Sequence, residues 1–125
     1  MKKLLFIALA CCASQWVLAD QAVGKWNTEK SDEGAWITVD IQPCGDKFCG
    51  TIVEAHNAKD DSIVGTEMIK DMRQKSDLLY DKGKIYAPDT KKWYKSNMQM
   101  QDDGTLKVSG CVFVICRSQV WTRAE

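Results

Sequence analysis

The sequence predicts an all-β chain, a small antiparallel up-and-down β-barrel of about eight strands, with a β-sandwich as the alternative. Three observations predict it. Period-two alternation of apolar and polar residues recurs along the chain, tight-turn signals separate the alternating stretches, and no stretch carries a convincing helical stripe.

The clearest strand comes first. Ala35, Ile37, Val39 and Ile41 alternate with Trp36, Thr38, Asp40 and Gln42, and after Pro43 a Gly45-Asp46 turn sends the chain back over residues 48–55. Residues 56–65 are polar without an apolar period, so they read as a loop or at most a helical turn, with His56 in it. Residues 67–72 and 78–86 read as strands, the second with a bulge or bend at Gly83. From 91 to 100 the alternation is regular again. Tyr94, Ser96, Met98 and Met100 share one face, and Trp93, Lys95, Asn97 and Gln99 share the other. Asp103-Gly104 is a strong hairpin turn, because glycine accepts the positive φ such turns require. Residues 105–111 and 116–123 make the last two strands. A barrel rather than a sandwich is suggested by the two ends of this run. Gly24-Lys25-Trp26 opens the first strand and Trp121-Thr122-Arg123 closes the last, so closure would let the Arg123 guanidinium lie over an indole that plugs the end.

The first nineteen residues have the build of a secretory signal peptide. Lys2 and Lys3 start it, residues 4–13 are an apolar run, and Val17-Leu18-Ala19 offers small residues for cleavage before Asp20. Cys11 and Cys12 lack the leucine–small–small pattern that lipidation needs, and the run is too short to span a bilayer. The expected organisation is therefore a signal peptide over 1–19 and one domain over 20–125, in the periplasm or secreted, with no transmembrane segment in the mature protein. Equal numbers of basic and acidic residues, 17 of each, give no electrostatic footprint for a nucleic-acid partner.

Cleavage would leave four of the six cysteines, in two segments of equal spacing: Cys44-Gly-Asp-Lys-Phe-Cys49 and Cys111-Val-Phe-Val-Ile-Cys116. Four cysteines allow three pairings. Geometry favours the local one, in which each pair faces across adjacent strands of a hairpin. A zinc site is disfavoured by the four-residue spacing and an oxidising compartment, and a thioredoxin-type redox centre would show two intervening residues and a βαβ setting.

Candidate chemistry is sparse. His56 is the one histidine, and no orienting carboxylate or nucleophile can be assigned to it from sequence, so no catalytic residue and no cofactor is expected. Asp60-Asp61 and Asp102-Asp103 read as solvated turns. The thioethers of Met68, Met72, Met98 and Met100 could attract Cu(I), but methionine commonly fills irregular cores. Two function classes remain. One is a small apolar ligand in the barrel mouth, lined by Tyr94, Met98 and Met100 with Tyr86. The other is a protein partner met through the Phe113 loop, as in an inhibitor of a lysozyme or protease. The apolar run from Val112 to Ile115 separates them: buried, it caps the barrel; exposed, it meets a partner.

The Gly24-Lys25-Trp26 opening with a terminal arginine resembles the calycin superfamily, lipocalins and their relatives, which implies a barrel that often holds small apolar ligands. From Gly24 to Arg123 the chain also resembles a family of small exported bacterial proteins known only as a domain of unknown function. The residues that carry this are Gly24-Lys25-Trp26, Pro43-Cys44-Gly45 with Cys49-Gly50, Gly83-Lys84-Ile85-Tyr86-Ala87-Pro88, and Gly110-Cys111 leading to Cys116-Arg117 and Trp121-Thr122-Arg123. Two departures from the family pattern are Ala87, where an acidic residue before the proline is usual, and Lys91-Lys92 in the following turn. This resemblance implies an exported, disulfide-bonded barrel and no particular activity.

Overall fold

The structure, a computed structural model, describes residues 21–124. The expected signal peptide, its cleavage position after Ala19, and Cys11 and Cys12 lie outside the described residues. Eight strands follow in order: β1 (Gly24–Asn27), β2 (Trp36–Cys44), β3 (Lys47–His56), β4 (Glu67–Gln74), β5 (Leu79–Ala87), β6 (Lys92–Met100), β7 (Leu106–Val112) and β8 (Ile115–Arg123). Each pairs antiparallel with the next and β8 returns to β1, closing an up-and-down barrel. This connectivity puts residues 45–46, 75–78 and 101–105 at one end with the segment before β1. Residues 28–35, 57–66, 88–91 and 113–114 lie at the other end.

Alternation decides the faces. Trp26 lies opposite Val39 and Leu106 opposite Trp121. With Ile41, Ile52, Met72, Tyr80 and Met98 they form an interior whose members are at most 1% exposed. Burying each such side chain contributes about 1.5–3 kcal/mol. Strands of the wall approach closely where glycine stands in for a side chain. A Cβ at Gly83 would stand 2.8 Å from the Met72 Sδ and 2.9 Å from its Cα, and one at Gly110 would stand 3.2 Å from Ile85 Cγ2 on a strand two places away.

The first end is shut by a clamp between the segment around β1 and the end of β8. Trp26 lies opposite Arg123, whose guanidinium carbon sits 4.0 Å from the indole centroid. That guanidinium donates to the Val23 and Gln21 carbonyls at 2.8 and 2.9 Å, while Trp26 Nε1 donates to the Ala22 carbonyl at 2.9 Å. Gly24 makes room, since a Cβ there would lie 2.8 Å from Arg123 Nη1 and its φ is +124°.

Two local expectations are corrected. His56 is the last residue of β3, not part of a loop. Val39 faces Ile52 but Thr38 faces Glu54, so Val53 is an extra residue in a bulge. That bulge turns Glu54 and His56 outward beside Trp36 and prolongs the pairing. The two cysteine hairpins also differ in register. Both local disulfides are present, Cys44–Cys49 and Cys111–Cys116. Cys111 lies directly opposite Cys116, but Cys44 faces Lys47 and Cys49 faces Gln42, because a two-residue Gly45-Asp46 turn sets that register.

Candidate functional site: the β7–β8 hairpin and the barrel mouth

The inner ladder of β7 and β8 runs from the shut end to the open one, and burial falls along it. Leu106 and Trp121 are fully enclosed. Val108 is still 3% exposed, but its opposite number Gln119 is open to solvent, and so is Arg117 opposite Gly110. The last rung is Val112 and Ile115, 48% and 71% exposed, and the turn beyond them is Phe113 and Val114, 94% and 93% exposed. Four consecutive apolar side chains thus stand in water at the tip of a hairpin stapled behind them by Cys111–Cys116. Phe113 also has a φ of +57°, a conformation that bulky L-residues rarely adopt.

Arg117 shares the face of Gly110, and Gly110 looks at Ile85 and Tyr94. Arg117 therefore belongs to the inner face of the ladder near the mouth, where it is exposed to solvent. Among the described residues it forms no ion pair.

The residues expected to line a ligand site are divided by the pleat. Tyr94, Met98 and Met100 do share the inner face of β6 with Ser96. Met98 and Met100 are core, 1% and 6% exposed, whereas Tyr94 is half-buried nearer the mouth, its hydroxyl 3.0 Å from Thr90 Oγ1. Tyr86 is not brought to that face. It pairs with Trp93 on the outer wall, ring centroids 5.4 Å apart, with Lys70 Nζ 4.1 Å from the Trp93 centroid. Two surface clefts, of about 540 and 500 Å³, lie at the shut end beside Pro43, Phe48 and Arg73 and beside Ser76, Leu79 and Gln99. Neither is lined by Tyr86, Tyr94, Met98 or Met100.

One polar cluster escaped the sequence reading. On the outer wall Trp36 stacks on His56 at 4.6 Å. His56 Nε2 lies 2.9 Å from Thr38 Oγ1 and 3.4 Å from Glu54 Oε1. The residues were visible in sequence, but the bulge that aligns them was not. Their geometry is not that of a nucleophile and its base. The carboxylate and hydroxyl approach the same ring nitrogen, and Thr38 is 2% exposed and donates its proton to Asn27 Oδ1 at 2.7 Å. The cluster lies on the outer wall, whereas Met72, Met98 and Met100 are buried in the interior.

The model of a family described as an uncharacterised protein conserved in bacteria, DUF2147, matches residues 24–123. The chain belongs to this family. Among solved structures it resembles protein HP1028 from the human pathogen Helicobacter pylori, described as belonging to the lipocalin family. The TM-score is 0.72 at 15% identity, covering 82% of each chain. At that identity the likeness establishes the fold, a lipocalin-like barrel. No curated protein matches the chain. Family membership and fold together supply no positive evidence of catalysis, and among the described residues no helix is long and apolar enough to cross a membrane.

Proposed function

We propose that this member of the family is an exported, non-enzymatic binding module that docks on a partner protein through the apolar tip of its β7–β8 hairpin. The exposure of Phe113 and Val114 carries this reading. A contiguous apolar tip standing in water raises the free energy of the isolated chain and is compensated when a partner covers it. The disulfide behind the tip holds its shape in advance, which lowers the entropy lost on docking. Export is supported by the leader-like residues 1–19 and by the two disulfides, which suit an oxidising compartment.

A second reading, a small apolar ligand at the mouth, is favoured by the likeness to a lipocalin-family structure. Tyr94 would meet such a ligand, with Met98 and Met100 beneath it. Against a deep ligand stands the packed interior, where Trp26, Met72, Tyr80, Met98 and Trp121 are at most 1% exposed.

Photo-crosslinking tests the first reading. A benzophenone amino acid at position 113 should give a discrete adduct in periplasmic extract, and the same group at Asp46 should give none. Phe113→Ser should abolish capture of that partner without lowering the melting temperature. Equal labelling from both positions, or none from 113, would sink the idea. Native mass spectrometry of the same preparation showing a bound small molecule in that case would favour the second reading.

A further inference from the structure

The barrel is closed by hydrogen bonding along only part of β8. β1 is four residues long and meets β8 at two rungs, Trp26 with Arg123 and Asn27 with Thr122. Toward the mouth β8 runs on without that neighbour, and residues 115–120 are all exposed. Two hydrogen bonds show which main-chain groups point to this edge. Ala124 N–H donates to the Lys25 carbonyl at 2.9 Å, and Val120 N–H donates to the Glu29 carboxylate at 2.7 Å. Residues of that parity therefore turn their N–H and C=O away from β7. Cys116 and Ser118 have the same parity, and among the described residues nothing meets their edge groups. The edge is thus capped at Val120 and open at two successive rungs above it, beside the apolar tip.

We propose that this open edge accepts an extended segment of the partner protein as an added strand, with a carboxylate side chain opposite Arg117. This rests on the reading of the hairpin as the docking element and specifies how it docks. An edge with alternating donors and acceptors is a template for another strand about 4.8 Å away. Charge selects the occupant. Arg117 lies between the two open rungs, on the mouth side, without an ion pair among the described residues. A second copy pairing antiparallel through Cys116 and Ser118 would set Arg117 against its own symmetry mate, and like charges directly opposite destabilise a strand pair. Of the self-pairings that avoid this, one centred on Ser118 needs the Val120 N–H that Glu29 already holds, and one centred on Cys116 must pair Ser118 with Val114, a turn residue outside β8. An acidic segment meets neither obstacle.

The probe is a phage-displayed random dodecapeptide library panned on the full disulfide-bonded chain. Ser118→Pro removes one edge N–H and no rung to β7, a substitution that free strand edges tolerate. Ser118→Ala keeps that N–H while removing the hydroxyl that contacts Ser109 Oγ at 2.7 Å. Enriched peptides should alternate apolar residues around one Asp or Glu. They should bind the native chain and Ser118→Ala alike, and Ser118→Pro about tenfold more weakly. Synthetic copies should slow hydrogen exchange at the Cys116 and Ser118 amides, and Arg117→Glu should select Lys or Arg in place of the acid. Equal binding to Ser118→Pro, unchanged exchange at both amides, or an acid preference indifferent to Arg117→Glu overturns the proposal. So does a dimer in sedimentation that Ser118→Pro dissociates, which would make the occupant a second copy. Partner capture lost in Phe113→Ser but kept in Ser118→Pro overturns strand addition alone and leaves the tip reading standing.

Discussion

The β2–β3 and β7–β8 hairpins share a cysteine spacing, a two-residue turn and a local disulfide, and they differ in what occupies the turn. At the shut end the turn is Gly45-Asp46, with Gly45 at φ +67°. At the mouth it is Phe113-Val114, with Phe113 at φ +57°. Primed hairpin turns demand a positive φ at this first position, where glycine is at ease and an L-residue with a side chain is penalised by about 1–2 kcal/mol. The first hairpin follows local preference in both backbone and polarity. The second violates it in both, while its strands, register and staple remain regular. A local violation inside an otherwise consistent element marks a feature that answers to something outside the hairpin. The staple is common to both ends, so the difference in role lies in the tip.

The largest expected effect tests whether the staples are equivalent for folding and unequal for docking. Replacing either cysteine pair by serine should cost about 2 kcal/mol, because both loops have the same short length. For a domain of this size that lowers the melting temperature by roughly 10 °C, readable by calorimetry. Only the Cys111→Ser/Cys116→Ser variant should lose the adduct formed from position 113. If the Cys44→Ser/Cys49→Ser variant loses it equally, the contrast between the two ends is broken and the staples act only through global stability.

How far the sequence disclosed these two ends depends on whether a feature is local or set by a neighbouring strand. The inner face of β6 was legible from alternation alone, since Tyr94, Ser96, Met98 and Met100 need no partner to declare their side. Closure was legible from Trp26 and Arg123, because an indole and a guanidinium at opposite ends of a β chain have few other ways to meet. The bulge at Val53 was not legible. It arises from the mismatch between β2 and β3, and it carries His56 from an expected loop onto the outer wall beside Thr38 and Glu54. The offset of Cys44 from Cys49 was hidden for the same reason, as the turn fixes register before the cysteines can. Composition alone groups Tyr86 with Tyr94. Register separates them, since the rung joining Ile85 to Tyr94 and the rung joining Tyr86 to Trp93 are adjacent and so face opposite ways. The open edge of β8 was least visible, because it follows from the shortness of β1.

Exchanging the turn residues sharpens the comparison with a smaller effect of opposite sign. Phe113→Gly should stabilise the chain by about 1 kcal/mol, since glycine relieves the left-handed strain, offset in part by its greater unfolded-state freedom. Gly45→Phe should destabilise by a similar amount. Chemical denaturation with an unchanged m value would read both. A more stable Phe113→Gly chain that no longer captures the partner would separate the tip's role from folding. A less stable one would mean that Phe113 packs on the barrel, and the exposed-tip reading would fail.

The smallest effect concerns another turn of the shut end and its response to acid. Asp103 Oδ1 accepts from the Thr105 hydroxyl at 2.6 Å and from the Thr105 N–H at 3.0 Å, and these bonds, the hydroxyl's foremost, hold its carboxyl below the ordinary 3.8. A carboxyl whose pKa is depressed by folding stabilises fully above its unfolded value and loses that contribution as pH falls through the lowered one. The Phe113-Val114 turn contains no titrating group, so acid should loosen the shut-end turn and leave the tip's own geometry unaltered. Asp103→Asn should therefore melt slightly below the native chain at pH 7, and the gap should shrink as pH falls below 3.8 and the carboxyl takes up its proton. Because Asp103 is fully solvated the gap should also shrink in high salt. A difference that persists undiminished once acid has protonated the carboxyl would show that its charge is not what secures this turn, leaving Gly104, at φ +86°, to set it by backbone preference alone.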